Sequence, residues 1–313
     1  MYIKNALRLM INNLTCCYKT MLYRLIVVVV FFCAAYWVVY FGASAIVNSV
    51  EMKAVLEDFK QIWLQFIGID FSAPVELNEN FKELFLLVET NMLRIILSLI
   101  GLVVIIFFMS WSLGLCNFTV AEMINRHMST ITKAQFIPTF LQSFKRAAVF
   151  ELFFTVLKSL VAVICIGVFL GIVLLTGRTL SLLSVILALW VVICIVSLFY
   201  ALTTTLRPKV VDGMKLKDAL KSTGVPREKF STVFATYVLG TVLIVYVNVT
   251  MFIATFGAGL MVSVPLSFLF LICVQAVVYY THAGRKYYID FDTIIVPKQL
   301  RSEDEQLLDD VDM

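Results

Sequence analysis

The sequence predicts an all-α, polytopic membrane protein with six transmembrane helices, and three observations predict it. Hydrophobic residues make up 61% of the chain and mean hydropathy is +0.95, above the roughly 45–50% apolar content of soluble domains. Six uncharged runs are each long enough to cross a bilayer: Leu25–Val47, Ile95–Leu113, Ser159–Gly177, Leu182–Leu206, Val233–Phe256 and Leu260–Tyr280. The basic residues are unevenly divided. With the N-terminus inside, 19 of the 25 Lys and Arg fall in the four inner segments, which predicts that both termini are cytoplasmic.

Residues 1–24 place Ile3, Leu7, Met10, Ile11 and Leu14 at helical spacing between Lys4, Arg8, Asn12 and Asn13. That pattern is an amphipathic interfacial helix leading into the first span. The first span's apolar core is longer than a signal peptide's and no A-x-A-like site follows it, so it reads as a permanent anchor.

Residues 48–93 form the one sizeable outer segment, with eight acidic residues against three basic ones. Val55, Leu56, Phe59, Ile62, Trp63, Phe66 and Ile67 share a helical face, and Pro74 sits in the turn-forming stretch that follows. Forty-six residues are too few to bury a core unaided, so the segment reads as a helical lid over the outer ends of the spans. Phe59, Trp63 and Phe66 serve either as interfacial anchors or as a docking surface for a protein partner.

Gly114–Lys133 reads as a further inner helix. Phe136–Thr176 then joins an aromatic, basic approach to a long span. The uncharged part, Ser159–Gly177, is 19 residues, roughly 28 Å of helix and close to the hydrocarbon thickness. The expectation is that the approach lies along the cytoplasmic surface, then turns and crosses. Spans three and four are joined by Gly177–Ser181, and spans five and six by Gly257–Ala258–Gly259, so each pair is a tight antiparallel hairpin. Leu206–Thr232 carries seven positive charges, suited to anionic headgroups or to topology alone, and not read as a nucleic-acid surface. In the tail, Ser302–Met313 has six acids in twelve residues, among them Glu303, Asp304, Asp309 and Asp310. It is a disordered solubilising end or a docking tail for a basic partner. The domain reading is one transmembrane domain over residues 1–281, lid included, and a cytoplasmic tail over 282–313.

A weak internal repeat underlies this order. Lys4-Asn5-Ala6-Leu7-Arg8 matches Lys217-Asp218-Ala219-Leu220-Lys221, each at the head of an amphipathic segment that ends at a span. Phe140–Ala148 holds the same place before span three. The chain thus divides into three units of elbow plus helical hairpin, a kind of repetition met in transporters and in duplicated scaffolds. The passage IPTFLQSFKRAAVFELFFTVL resembles the Phe-x-x-Ser-Phe-Lys elbow of the YesL-like bacterial membrane proteins, and the resemblance covers roughly residues 95–282. The outer insertion and acidic tail depart from the family's short form. What the resemblance implies is a non-enzymatic protein of the bacterial cytoplasmic membrane, of a kind often encoded beside carbohydrate uptake systems. It carries over no catalytic residue.

The seven cysteines include no CxxC pair and none lies in the outer segment. The vicinal Cys16–Cys17 are either apolar-face thiols or palmitoylation sites beside a membrane helix. The two histidines, His127 and His282, lack ligand spacing, and there is no Walker loop, GxSxG or HExxH. The sequence therefore points to no catalytic residue, no metal and no cofactor. The residues worth following are the intramembrane polar ones: Glu151, Lys158, Asn248 and Gln275. Glu151 and Lys158 share a helix face but are about 10 Å apart along the axis. At that separation they are not expected to pair directly: they line a polar cavity or face another chain, or the helix start lies in the interface with Lys158 snorkelling to the headgroups; the last is the simpler reading. Asn248, Thr250 and Gln275 suit interhelical hydrogen bonds, and Gly167 and Gly171 form a GxxxG patch usable within the chain or between copies. Two functions fit: an accessory or scaffold subunit of a larger bacterial membrane complex, in contact with lipid and protein partners, or a small transporter or lipid-handling protein that uses the repeat interface.

Overall fold

The computed structural model describes residues 2–50, 52–57, 86–176, 181–290 and 293–296. Among these residues the fold is all-α apart from one two-residue-per-strand hairpin. In chain order the helices are α1 (Tyr2–Asn12), α2 (Leu14–Val47), α3 (Met92–Thr130), α4 (Phe136–Thr176), α5 (Ser181–Thr203), α6 (Leu206–Val211), α7 (Leu216–Lys221), α8 (Arg227–Thr255) and α9 (Leu260–His282), followed by strands β1 (Tyr287–Tyr288) and β2 (Ile294–Ile295). The spans of α2, α3, α4, α5, α8 and α9 are all long and apolar enough to cross a membrane. Residues Phe59, Trp63, Phe66, Glu303, Asp304, Asp309 and Asp310 lie outside the described residues, as does most of the lid and all of Ser302–Met313.

Two helices are longer than their apolar runs for a local reason. Between Phe140 and Ser159 the chain has no Gly, Pro or Asn, so nothing interrupts the backbone ladder. The basic approach and span three are therefore one unbroken 41-residue helix, α4, and not a surface segment followed by a turn. Likewise span two runs through Gly114 to Thr130 as the single helix α3. The other two elbows are separate helices. The break after α1 falls at Asn13, whose side chain donates to the Leu9 carbonyl (2.9 Å). The break after α7 is the stretch Ser222–Pro226, which holds Gly224 at φ +120°. Each elbow seats a small residue against its neighbours: Ala6, Ala147 and Ala219 are all buried.

The chain divides into two compact units. One comprises residues 26–110, where the facing parts of α2 and α3 approach closely. A Cβ on Gly42 would collide with the Ser98 side chain, and one on Gly101 would stand 3.0 Å from Val38. Outward residues such as Val30, Phe32, Trp37, Leu99 and Val103 are exposed, which suits lipid as their solvent.

The other unit comprises residues 1–25 and 111–313. Its central element is α9. In its most apolar stretch 61% of residues are buried, against 6–17% for the other spans, and Ile272–Tyr280 is buried without interruption. A helix apolar all round belongs in a core. Pro265 lies in its first two turns, where few amide bonds are lost. The short connection to α8 works because Phe256 (φ +50°) and Gly257 (φ +91°) reverse the chain in left-handed geometry.

The elbow α1 packs on α9, and the β-hairpin joins it there. Tyr287 and Ile289 are buried, the Ile289 carbonyl accepts from Asn12 Nδ2 (3.2 Å) and His127 Nε2 (3.3 Å), and Asn5 Nδ2 donates to the Tyr287 hydroxyl (3.3 Å). The start of the segment read as tail is thus part of the packed body. Asp212 fastens the same end. It accepts from Tyr279 (2.6 Å), Arg285 (2.6 Å) and Asn125 (3.1 Å), linking the chain after α6 to α9 and α3.

Candidate functional site

The main buried charges of the second unit gather where α4, α6 and α9 meet. Glu151 on α4 is fully buried. Its Oε1 accepts from Arg207 Nη2 on α6 at 2.9 Å, and its Oε2 stands 3.6 Å from Lys158 Nζ. Arg207 also donates from Nη1 to Gln275 Oε1 on α9 at 3.2 Å. Three of the four candidate polar residues read from the sequence, Glu151, Lys158 and Gln275, therefore come together, and Arg207 joins them.

Lys158 does not snorkel away from Glu151. Helical side chains lean toward the N-terminus, so Lys158 reaches back over the two turns that separate it from the carboxylate. An axial separation of about 10 Å between backbones is within the combined reach of the two side chains. The ammonium lies 4.7 Å from the Phe154 ring centroid on the way.

The carboxylate fits because α3 has no side chain opposite it. A Cβ on Gly114 would stand 2.5 Å from Glu151 Oε2 and 3.2 Å from Glu151 Cβ. Below the charges runs a ladder of rings: Phe118, Phe150, Phe154, Phe199, Tyr200 and Tyr237, with successive centroids 5.4–5.9 Å apart. The Arg207 guanidinium sits 5.2 Å from Phe154 and 5.7 Å from Phe150, so its faces are covered by rings while its edges make polar bonds. The Tyr237 hydroxyl is satisfied by Thr204 at 2.6 Å.

A third cation approaches from α2. Arg24 is 8% exposed, donates from Nη2 to Asn117 Oδ1 at 2.6 Å, and lies 5.3 Å from the Phe268 ring. Asn117 and Phe268, with Lys158, Tyr200, Arg207 and Gln275, line one small cavity with about 10 Å³ open to a water centre, room for about one water. The Nε atoms of Arg24 and Arg207 are buried with no hydrogen-bond partner, as is Glu151 Oε2 apart from its ion pair.

Asn248 belongs elsewhere. It bonds the Ile244 carbonyl (2.8 Å) and Ser267 (3.0 Å) and accepts from Ser263 (2.7 Å), a local tie between α8 and α9. Gly167 and Gly171 face open space, with nothing within 4 Å of a Cβ at either, so the GxxxG patch is not used inside the described chain. Cys16 and Cys17 are buried rather than presented to lipid.

Sequence reasoning missed Arg24, Gly114, Asn117 and Arg207. One signal for the two arginines was present. Arg24 directly precedes the uncharged run Leu25–Val47 and Arg207 directly follows Leu182–Leu206. Searches of family models, curated proteins and solved structures find no match to this chain.

Proposed function

We propose that this chain is a non-enzymatic, multi-pass protein of a bacterial cytoplasmic membrane that handles a small or amphiphilic ligand at the junction of its elbow-plus-hairpin units. Its elbows and both chain ends lie on the cytoplasmic side. The observation that carries the reading is the fully buried Glu151, held by Arg207 and Lys158 beside a polar cavity. Charges within a membrane protein are costly and mark ligand or ion paths more often than packing. The charge bias toward the inner segments supports the orientation. The likeness to YesL-like proteins, resting on the elbow at Phe140–Lys145, supports a non-catalytic role near solute uptake. The accessory-subunit reading draws on the lid aromatics and the acidic tail, which lie outside the described residues.

The test is extraction of the full chain in native nanodiscs, followed by identification of everything that co-purifies. A lipid or solute enriched over the bulk membrane, and lost in the Glu151→Gln/Arg207→Gln double variant, supports ligand handling. Protein partners in fixed ratio with no enriched small molecule would return the accessory-subunit reading to first place.

A further inference from the structure

We infer that the Arg24–Lys158–Arg207 cluster binds the phosphoryl group of an acyl-chain lipid, with the lipid's chain lying in the apolar groove between α5 and α8. This rests on the ligand-handling reading and names its ligand class.

The first argument is charge. Lys158 and Arg207 line the cavity, Arg24 contacts its wall residues Asn117 and Phe268, and Glu151 is the one carboxylate hydrogen-bonded or ion-paired among these groups. Arg24 is held by a neutral amide and a ring, with its Nε unpartnered, and Arg207 has a second unpartnered Nε. Buried guanidinium groups with donors to spare are costly unless an anion meets them. Planar N–H forks suit oxyanions, and phosphoryl oxygens above all.

The second argument is shape. The enclosed cavity takes about one water, hence one phosphoryl oxygen and not a whole solute. The rest of the group has to sit at the mouth, where the Lys158 side chain is 25% exposed and can swing aside. Between α5 and α8 lies a separate groove of about 500 Å³ lined by Leu189, Trp190, Ile193, Val245, Tyr246 and Val249. Ile193 lies seven residues before Tyr200, a cavity residue, on the same face of α5. A polar pocket for one oxyanion, with an apolar groove roughly 10 Å away along the same face of α5, matches an amphiphile.

The experiment uses the full chain in detergent, with thermal unfolding and native mass spectrometry as readouts. The probes are phosphatidic acid, diacylglycerol with the same chains, oleate and inorganic phosphate. Phosphatidic acid is expected to raise the unfolding midpoint and bind at one equivalent, with diacylglycerol at least tenfold weaker. Arg24→Gln keeps a donor for Asn117 but removes the charge and should weaken phosphatidic acid at least tenfold, while Arg24→Lys retains most of the affinity. Should Arg24→Gln not fold, Lys158→Gln makes the same test from the exposed side of the cluster. Ile193→Trp, which fills the groove, should weaken phosphatidic acid and leave inorganic phosphate unchanged. Equal binding of diacylglycerol, or of oleate, overturns the phosphoryl assignment. A shift with inorganic phosphate that added acyl chains do not improve overturns the groove. Enrichment of a non-phosphorylated ligand from cells would overturn this inference while leaving ligand handling standing.

Discussion

Replacing Arg207 by Gln should destabilise the protein severely, and replacing Glu151 by Gln in the same chain should restore much of the loss. In the wild type the Glu151 carboxylate is fully buried between a guanidinium at 2.9 Å and an ammonium at 3.6 Å. At an effective dielectric near 20 these separations correspond to gross attractions of about 6 and about 5 kcal/mol, most of which offsets the cost of removing the charges from water. Loss of one partner of a buried pair costs about 3–5 kcal/mol, because the other charge is left behind. Lys158 still stands beside the carboxylate, so Arg207→Gln should fall at the lower end, near ~3 kcal/mol, with a fall in unfolding midpoint on the order of 10 °C. The double variant replaces a charge pair by two amides that can bond each other and Gln275. Its loss should be ~1–2 kcal/mol, giving a coupling of a few kcal/mol in the double-mutant cycle. Lys158→Leu, which a snorkelling lysine would tolerate, should here cost ~1–2 kcal/mol, since its side chain is only 25% exposed and faces the carboxylate. The assay is midpoint by fluorescence-detected size exclusion in one detergent for all five proteins. Additive losses in the double variant, or singles within a degree of wild type, would refute the picture of a coupled buried pair.

Gly114→Ala should destabilise by ~1–3 kcal/mol, read as a lowered midpoint, because the new methyl meets Glu151 Oε2 at 2.5 Å; the Glu151→Gln background should relieve none of the clash with Glu151 Cβ. Gly171→Leu should leave the monomer's midpoint within about 1 °C, since nothing stands within 4 Å; a large drop in detergent would mean α4 is covered there. Tyr287→Ala should cost ~3 kcal/mol and expose the C-terminal hairpin to protease, Tyr287 being buried against α1 and α9. In a cysteine-free background an impermeant thiol reagent should label Asn78→Cys in wall-permeabilised cells and spare Thr293→Cys; labelling of Thr293→Cys alone would reverse the proposed orientation.

The spans were legible because length and absence of charge are local properties: α2, α3 and α9 each contain one of the six uncharged runs whole, and α4, α5 and α8 each contain all but the last few residues of one. The elbow at α1 was legible from its period, and its Ala6 and the matching Ala219 are both buried. The bend expected before span three was not there, because a basic, aromatic stretch without a breaker is still good helix. The pairing of Lys158 with Glu151 escaped because counting residues along an axis ignores that long side chains lean and reach. The hairpin after α9 escaped because two residues per strand carry no period.

Arg24 and Arg207 escaped for a different reason, one with a consequence for the membrane surface. A basic residue at the edge of an apolar run reads as a topology signal, and whether it is solvated or buried is decided by partners far along the chain, here Asn117, 93 residues from Arg24, and Glu151, 56 residues from Arg207. The positive-inside count for 203–232 therefore includes one charge that meets no headgroup. With seven basic residues the stretch would attract an anionic leaflet at about 1 kcal/mol per charge. Arg207 is 5% exposed and engaged by Glu151 and Gln275, so it drops out of that sum. What remains for the leaflet is carried by Lys209, Lys215, Lys217, Lys221, Arg227 and Lys229, around α7 and the start of α8. The division follows from partners and not from sequence position: Lys209 sits on the same short helix as Arg207, yet Arg207 alone of the two is buried and committed to Glu151 and Gln275.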